Sequence, residues 1–200
     1  GEINASNGAF PIYQFIYKGK AVAFYLSAIG SMLASQYCMI CNWVTGATKF
    51  VMFGSAGSLD NERTFNKFII PTHSYRDEGM SYHYAPPSDY IKVKNANKVT
   101  EVFNKLALPF IEGKVWTTDA VLRETNIQYN KRKKEGCIAV DMELAGVQAV
   151  CDFHGFELFS FLVTGDVLSE GTYNVDGLKE ANHNINKFHV AMNIIEELNL

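Results

Sequence analysis

The sequence predicts an α/β fold, a three-layer α/β/α sandwich with a central sheet covered by helices on both faces. Three observations carry this. Short β-branched or aromatic runs alternate with helical stretches throughout the 200 residues. Those runs are apolar end to end rather than alternating, as expected of strands buried on both faces. Small and polar residues gather just after them, and in such folds ligands collect at the carboxyl ends of strands.

The elements follow in order. "PIYQFIYKGKAVAFYLS" (11–27) reads as two strands joined by a turn at Lys18-Gly19-Lys20. Residues 31–44 read as a helix apolar nearly all round, hence buried. "KFVMFG" (49–54) is a strand ending in a glycine turn, and "KFIIP" (67–71) is another strand. Residues 98–107 form an amphipathic helix, and "GKVWT" (113–117) is a short strand. "CIAV" (137–140) leads into a helix after Asp141, and "ELFSFLVTG" (157–165) is a long apolar strand. Residues 175–198 close the chain as a helix, with Leu178, Ile185, Phe188, Met192 and Ile195 on one face. There is no internal repeat or linker, so residues 1–200 read as a single domain.

Composition narrows the function. A net charge of −3 gives no global pull toward nucleic acid or an anionic membrane. No apolar run is long enough to span a bilayer. Of four cysteines, only Cys38 and Cys41 form a C-x-x-C pair, and a zinc site wants a second pair or histidines. Packed free thiols, no metal and a reducing, cytoplasmic home are therefore expected. The basic run "KRKK" (131–134) reads as a solvated helix face.

Four segments carry candidate chemistry. "GSAGSLD" (54–60) follows a strand with two glycines around a serine; backbone N–H groups there suit an anion, or the segment is simply a tight turn. "TGD" (164–166) puts Asp166 at the mouth of the most apolar strand, where it is either a desolvated proton donor or a cap. "DME" (141–143) sets two carboxylates at a strand-to-helix junction, which costs desolvation energy unless each finds a partner. One acid suits capping the helix, the other facing a ligand. "HSYRDEGMSYHYAPPS" (73–88) is dense in His, Tyr, Arg and acid, with His73 and His83 as candidates, and suits a site or a subunit contact.

These loops, in this order, resemble the nucleoside phosphorylase superfamily, the branch of purine nucleoside phosphorylase, uridine phosphorylase and the methylthioadenosine nucleosidases. The matching pieces are "YKGKAVAFYLSAIG", "GATKFVMFGSAGSLD", "IIPTHSYRDEGMSYHYAPPS", "GKVWTTDAVLRET", "GCIAVDMELAGVQAVCDFHGFEL" and "FLVTGD". The resemblance implies a phosphorylase-type sandwich with a mixed sheet. It implies cleavage of the N-glycosidic bond of a purine ribonucleoside with inorganic phosphate, giving free base and ribose 1-phosphate, with no cofactor. Glu143 would bind the ribose hydroxyls and Met142 would pack on the sugar. Asp166 would give a proton to, or hydrogen-bond, a purine ring nitrogen. Ser55, Gly54 and Gly30 would hold phosphate. Residues of "WTTDAVLRE" (Trp116 to Glu124), with Trp116, Thr118 and Leu122 named for it, would border the base. Homodimers or hexamers are implied, with nucleoside and phosphate as the only other partners and neither nucleic acid nor membrane.

Three positions depart from the family pattern. Met52 stands where its bacterial phosphorylases commonly carry an arginine for phosphate. "GEINASNG" does not match the family's first strand and phosphate loop, so either the sequence shown lacks them or phosphate is held differently. No basic residue follows Asp166 before Lys179. These departures bear on phosphorolysis more than on nucleoside binding. For phosphorolysis, Arg76 or Arg123 would substitute for the missing cation; hydrolysis by a nucleosidase, which needs none, and a catalytically inactive nucleoside-binding relative are the alternatives.

Overall fold

The computed structural model describes residues 1–5, 8–169, 172–177 and 186–200. A seven-stranded mixed sheet runs through it. Its strands are β5 (Lys49–Ser58), β6 (Phe68–Asp77), β7 (Tyr90–Lys92), β8 (Phe110–Thr118), β9 (Cys137–Asp141), β10 (Glu157–Ser169) and β11 (Thr172–Asn174), in the spatial order β11-β10-β5-β9-β8-β6-β7. β10 with β5, β6 with β8 and β8 with β9 are parallel; the other pairs are antiparallel. β10 also pairs with β6 through Leu162 and Ile69, so the sheet curls back on itself.

Helices flank the sheet in two pairs. α1 (Ser31–Thr45) packs on α5 (Leu144–His154), and α3 (Ala96–Lys105) packs on α6 (Asn186–Glu197). The short α2 (Asn61–Thr64) and α4 (Asn126–Lys134) lie at the ends of strands. One core joins all of this: Ile69, Val115 and Phe161 of the sheet meet Cys38, Val147, Phe103 and Ile194 of the helices. Burying such side chains is worth about 1.5–3 kcal/mol each and holds the sheet edges that carry the polar loops. Among the described residues no helix is long and apolar enough to cross a membrane.

Two hairpins precede the sheet. β1 (Glu2–Ala5) pairs with β2 (Gly8–Pro11), a hairpin with no clear signal in the sequence. β3 (Tyr13–Tyr17) pairs with β4 (Lys20–Phe24), as read. Its two-residue turn has Lys18 at φ 47° and Gly19 at φ 80°, the left-handed pair that matches strand twist. Phe15 and Phe24 pack their rings on Phe188 of α6.

Several elements differ from the sequence reading. The glycine turn at residue 54 is strand: β5 runs on to Ser58 because Gly54 to Ser58 stay paired with β10, and Gly57 and Ser58 also pair with β9. α1 is not buried all round; Met32 is 61% and Trp43 73% exposed, so only one of its two apolar faces meets the core. Of the predicted terminal helix, Asn186–Glu197 is helical and residues 175–177, just after β11, are not; residues 178–185, with Leu178 and Ile185, lie outside the described residues. The basic run is not simply solvated. Arg132 is buried, its guanidinium 3.3 Å from the centre of the Tyr75 ring and paired with Glu135 at 2.5 Å. All four cysteines are buried free thiols.

Candidate active site

The site grows from the junction of β9 and α5. Asp141 ends β9, and α5 starts at Leu144. The buried Asp141 Oδ2 accepts the amides of Glu143 (3.2 Å) and Leu144 (2.8 Å), two of the donors a helix start leaves unpaired. Its Oδ1 accepts the hydroxyl of Thr117 at 2.5 Å, and Thr117 also takes the Ala145 amide. Asp141 is thus a cap and a tie to β8. Burial, then the charge of Glu143, pushes its carboxyl up to about 7, while the hydrogen bonds it accepts hold the shift back.

Capping by Asp141 leaves Glu143 free to point elsewhere. Glu143 Oε1 accepts the Gly30 amide at 2.7 Å. Gly30 has φ 96° and ψ 144°, a backbone shape that L side chains rarely adopt. Burial raises the Glu143 pKa and the charge of Asp119 adds to this, against the Gly30 and Met142 amides, which favour the ionised form. The result is a half-buried, amide-held carboxylate beside the half-buried Met142.

A second carboxylate lies across the sheet. Asp166 is buried in β10, where the pairing with β5 slips by one residue between Thr164 and Asp166. That bulge turns Asp166 toward Gly57: a Cβ added there would stand 2.9 Å from Asp166 Oδ2. Glu124, from the loop after β8, is its electrostatic neighbour. Burial, then the charge of Asp166, pushes Glu124 up to about 7. Two carboxyl groups in one apolar place do not both ionise easily, so such a pair can hold a proton near neutrality.

The residues assigned to phosphate are not arranged as a loop. Gly54 and Ser55 sit in β5 opposite Leu162 and Val163 of β10, although the space beside the Gly54 α-carbon is open. The Gly30 amide is taken by Glu143. Met52 packs against the main core. Arg76, a substitute cation from the sequence, is buried and pins the 79–88 loop: it donates to Ser81 Oγ (2.7 Å) and Pro86 O (2.6 Å) and stacks on Tyr82. Arg123 is exposed in a 3-10 turn, Val121–Arg123. His73 lies among Lys114 and Lys92; burial chiefly, then those charges, lower its pKa.

Of the residues assigned to the base, Trp116 and Thr118 meet on Asp77 Oδ2, and Leu122 stands apart. Trp116 is 1% exposed; its ring packs on Leu59 and Val140, and its Nε1 donates to Asp77 at 2.9 Å, so no face is open. Thr118 is likewise buried and donates to Asp77. Leu122 is 95% exposed. Sequence reasoning did not single out Gly146, and it included Thr117 and Glu124 only within the 116–124 stretch expected to border the base, with no role of their own. For Thr117 the only signal is a hydroxyl at a strand end facing the "DME" run, which becomes visible once β8 and β9 are known to be neighbours.

Comparison with known proteins places this geometry. Residues 2–195 match the family model described as the phosphorylase superfamily. The DeoD-type purine nucleoside phosphorylase of Colwellia psychrerythraea is 25% identical over 165 residues, 80% of this chain and 69% of that protein. The 5′-methylthioadenosine/S-adenosylhomocysteine nucleosidase of Buchnera aphidicola subsp. Schizaphis graminum is 28% identical over 161 residues, 76% and 68% of the two. Among solved structures, the corresponding Campylobacter jejuni nucleosidase superposes with a TM-score of 0.77 at 20% identity, covering 98% of this chain and 89% of that one. A futalosine hydrolase mutant from Helicobacter pylori gives 0.75 at 19%, covering 98% and 88%. At such identity these two show the shared fold alone.

Proposed function

The chain belongs to the phosphorylase superfamily, and on that premise we propose that it cleaves the N-glycosidic bond of a purine ribonucleoside. The observation that carries this is the Glu143 carboxylate, half-buried and fixed by the Gly30 amide beside Met142. Cleavage passes through a sugar with developing positive charge, and a fixed anion accepting the ribose hydroxyls stabilises it. Asp166, with Glu124 beside it, serves the other half of the bond. The departing base leaves more readily when protonated, and a positioned acid contributes about 10²–10⁴-fold. The preference for purine rests on this carboxyl pair, since a purine ring nitrogen can take the proton.

Two acceptors fit this chemistry. The relatives called phosphorylases favour phosphate. A specific set of contacts favours water: Met52 is apolar and packed on the core, the Gly30 amide already serves Glu143, and Arg76 serves Ser81 and Pro86. We take hydrolysis as the better-supported reading. The test is release of free base from inosine, adenosine, uridine and 5′-methylthioadenosine, with and without phosphate. Release from a purine nucleoside in phosphate-free buffer is expected. Strict dependence on phosphate returns the reading to phosphorolysis, and binding without turnover of any substrate sinks both.

A further inference from the structure

We propose that Ser31, seated against Gly146, is a positioning residue that docks the first turn of α1 onto the 141–143 turn and so aims the Gly30 amide at Glu143. The inference rests on the role given to Glu143 above. A serine at a helix start commonly caps its own helix. α1 has no side-chain cap; the fully buried Ser31 hydroxyl instead donates across to Met142 O at 3.1 Å, with Glu143 O at 3.4 Å. The backbones come this close because residue 146 is glycine. A Cβ there would stand 2.7 Å from Ser31 Cβ and 3.3 Å from Met80 Cβ, distances at which α1 must back away. Gly30 precedes Ser31, so whatever moves Ser31 moves the amide that holds Glu143.

The groups facing Glu143 are known: the Gly30 amide from α1, the Met142 amide and Asp141 on its own turn, and Asp119 from the loop after β8. The two amides favour its ionised form and the two carboxylates oppose it. Loosening the Gly30 contact therefore makes Glu143 take a proton at higher pH. A residue that only fills space would lower activity without moving that titration.

The experiment is the pH profile of kcat/KM for wild type, Ser31→Ala, Ser31→Cys and Glu143→Gln, using whichever of adenosine, inosine or 5′-methylthioadenosine the wild type cleaves fastest. Ser31→Cys leaves no cavity against Gly146 and exchanges the hydroxyl for a weak donor, so it guards against a cavity defect in the alanine variant. The acid limb is expected to move up by about half a unit to one unit in both Ser31 variants, with activity on the acid side of that limb down about three- to tenfold. An acid limb that stays in place in folded Ser31→Cys overturns the proposal, whatever the activity. Wild-type turnover by Glu143→Gln instead removes the role of Glu143 itself, and this inference with it.

Discussion

Gly30 and Glu143 are 113 positions apart in the chain, yet the amide of one donates to the carboxylate of the other at 2.7 Å. The contact divides labour between the two acids of the 141–143 turn. Asp141 is fully engaged with Thr117 and the start of α5, whereas Glu143 is held from one side and faces outward from the cap.

That division predicts different losses. Glu143→Ala and Asp166→Asn should each lower kcat/KM, the latter by about 10²–10⁴-fold, with thermal unfolding close to wild type. Asp141→Ala should instead unfold early, because it uncaps α5 and leaves the Thr117 hydroxyl without its acceptor, a loss of about 1–3 kcal/mol. Calorimetry beside a base-release assay separates the two patterns. A stable Asp141→Ala with an unstable Glu143→Ala would reverse the assignment.

Gly57 predicts an effect on Asp166 from the neighbouring strand. A Cβ there would meet Leu168 at 2.7 Å, Val140 at 2.8 Å and the Asp166 carboxylate at 2.9 Å. Gly57→Ala should cost about 1–3 kcal/mol by overpacking and also displace Asp166. Loss of turnover larger than the loss of stability explains is the expected result. Wild-type activity and stability together would show that β5 and β10 yield more easily than this spacing allows.

How much of this was legible follows from which contacts are local. The junction "CIAVDMELAG" shows in the sequence because two carboxylates interrupt an apolar run, and capping is a local matter. The Gly30 partner does not show, since nothing local marks which of 15 glycines returns to that turn. "GSAGS" reads as a turn because glycines punctuate chains; pairing with β10, and at its end with β9, keeps it extended instead. Trp116 is expected beside the base only through the family resemblance; here β8 turns it inward, where Asp77 occupies its N–H. Arg132 shows the reverse: a residue within a basic run is drawn inside by an aromatic ring and an acid.

Glu124 predicts a pH dependence of stability. Burial, then Asp166, raises its carboxyl to about 7 in the folded chain, against about 4.3 when unfolded. A raised folded value means the native state holds the proton more tightly. Its contribution is therefore fully present below about pH 4 and lost as pH rises through about 7. Glu124→Gln should flatten the fall in unfolding temperature across that window and leave the variant more stable than wild type at pH 8. Parallel curves for the two proteins would show that Glu124 ionises freely in the fold.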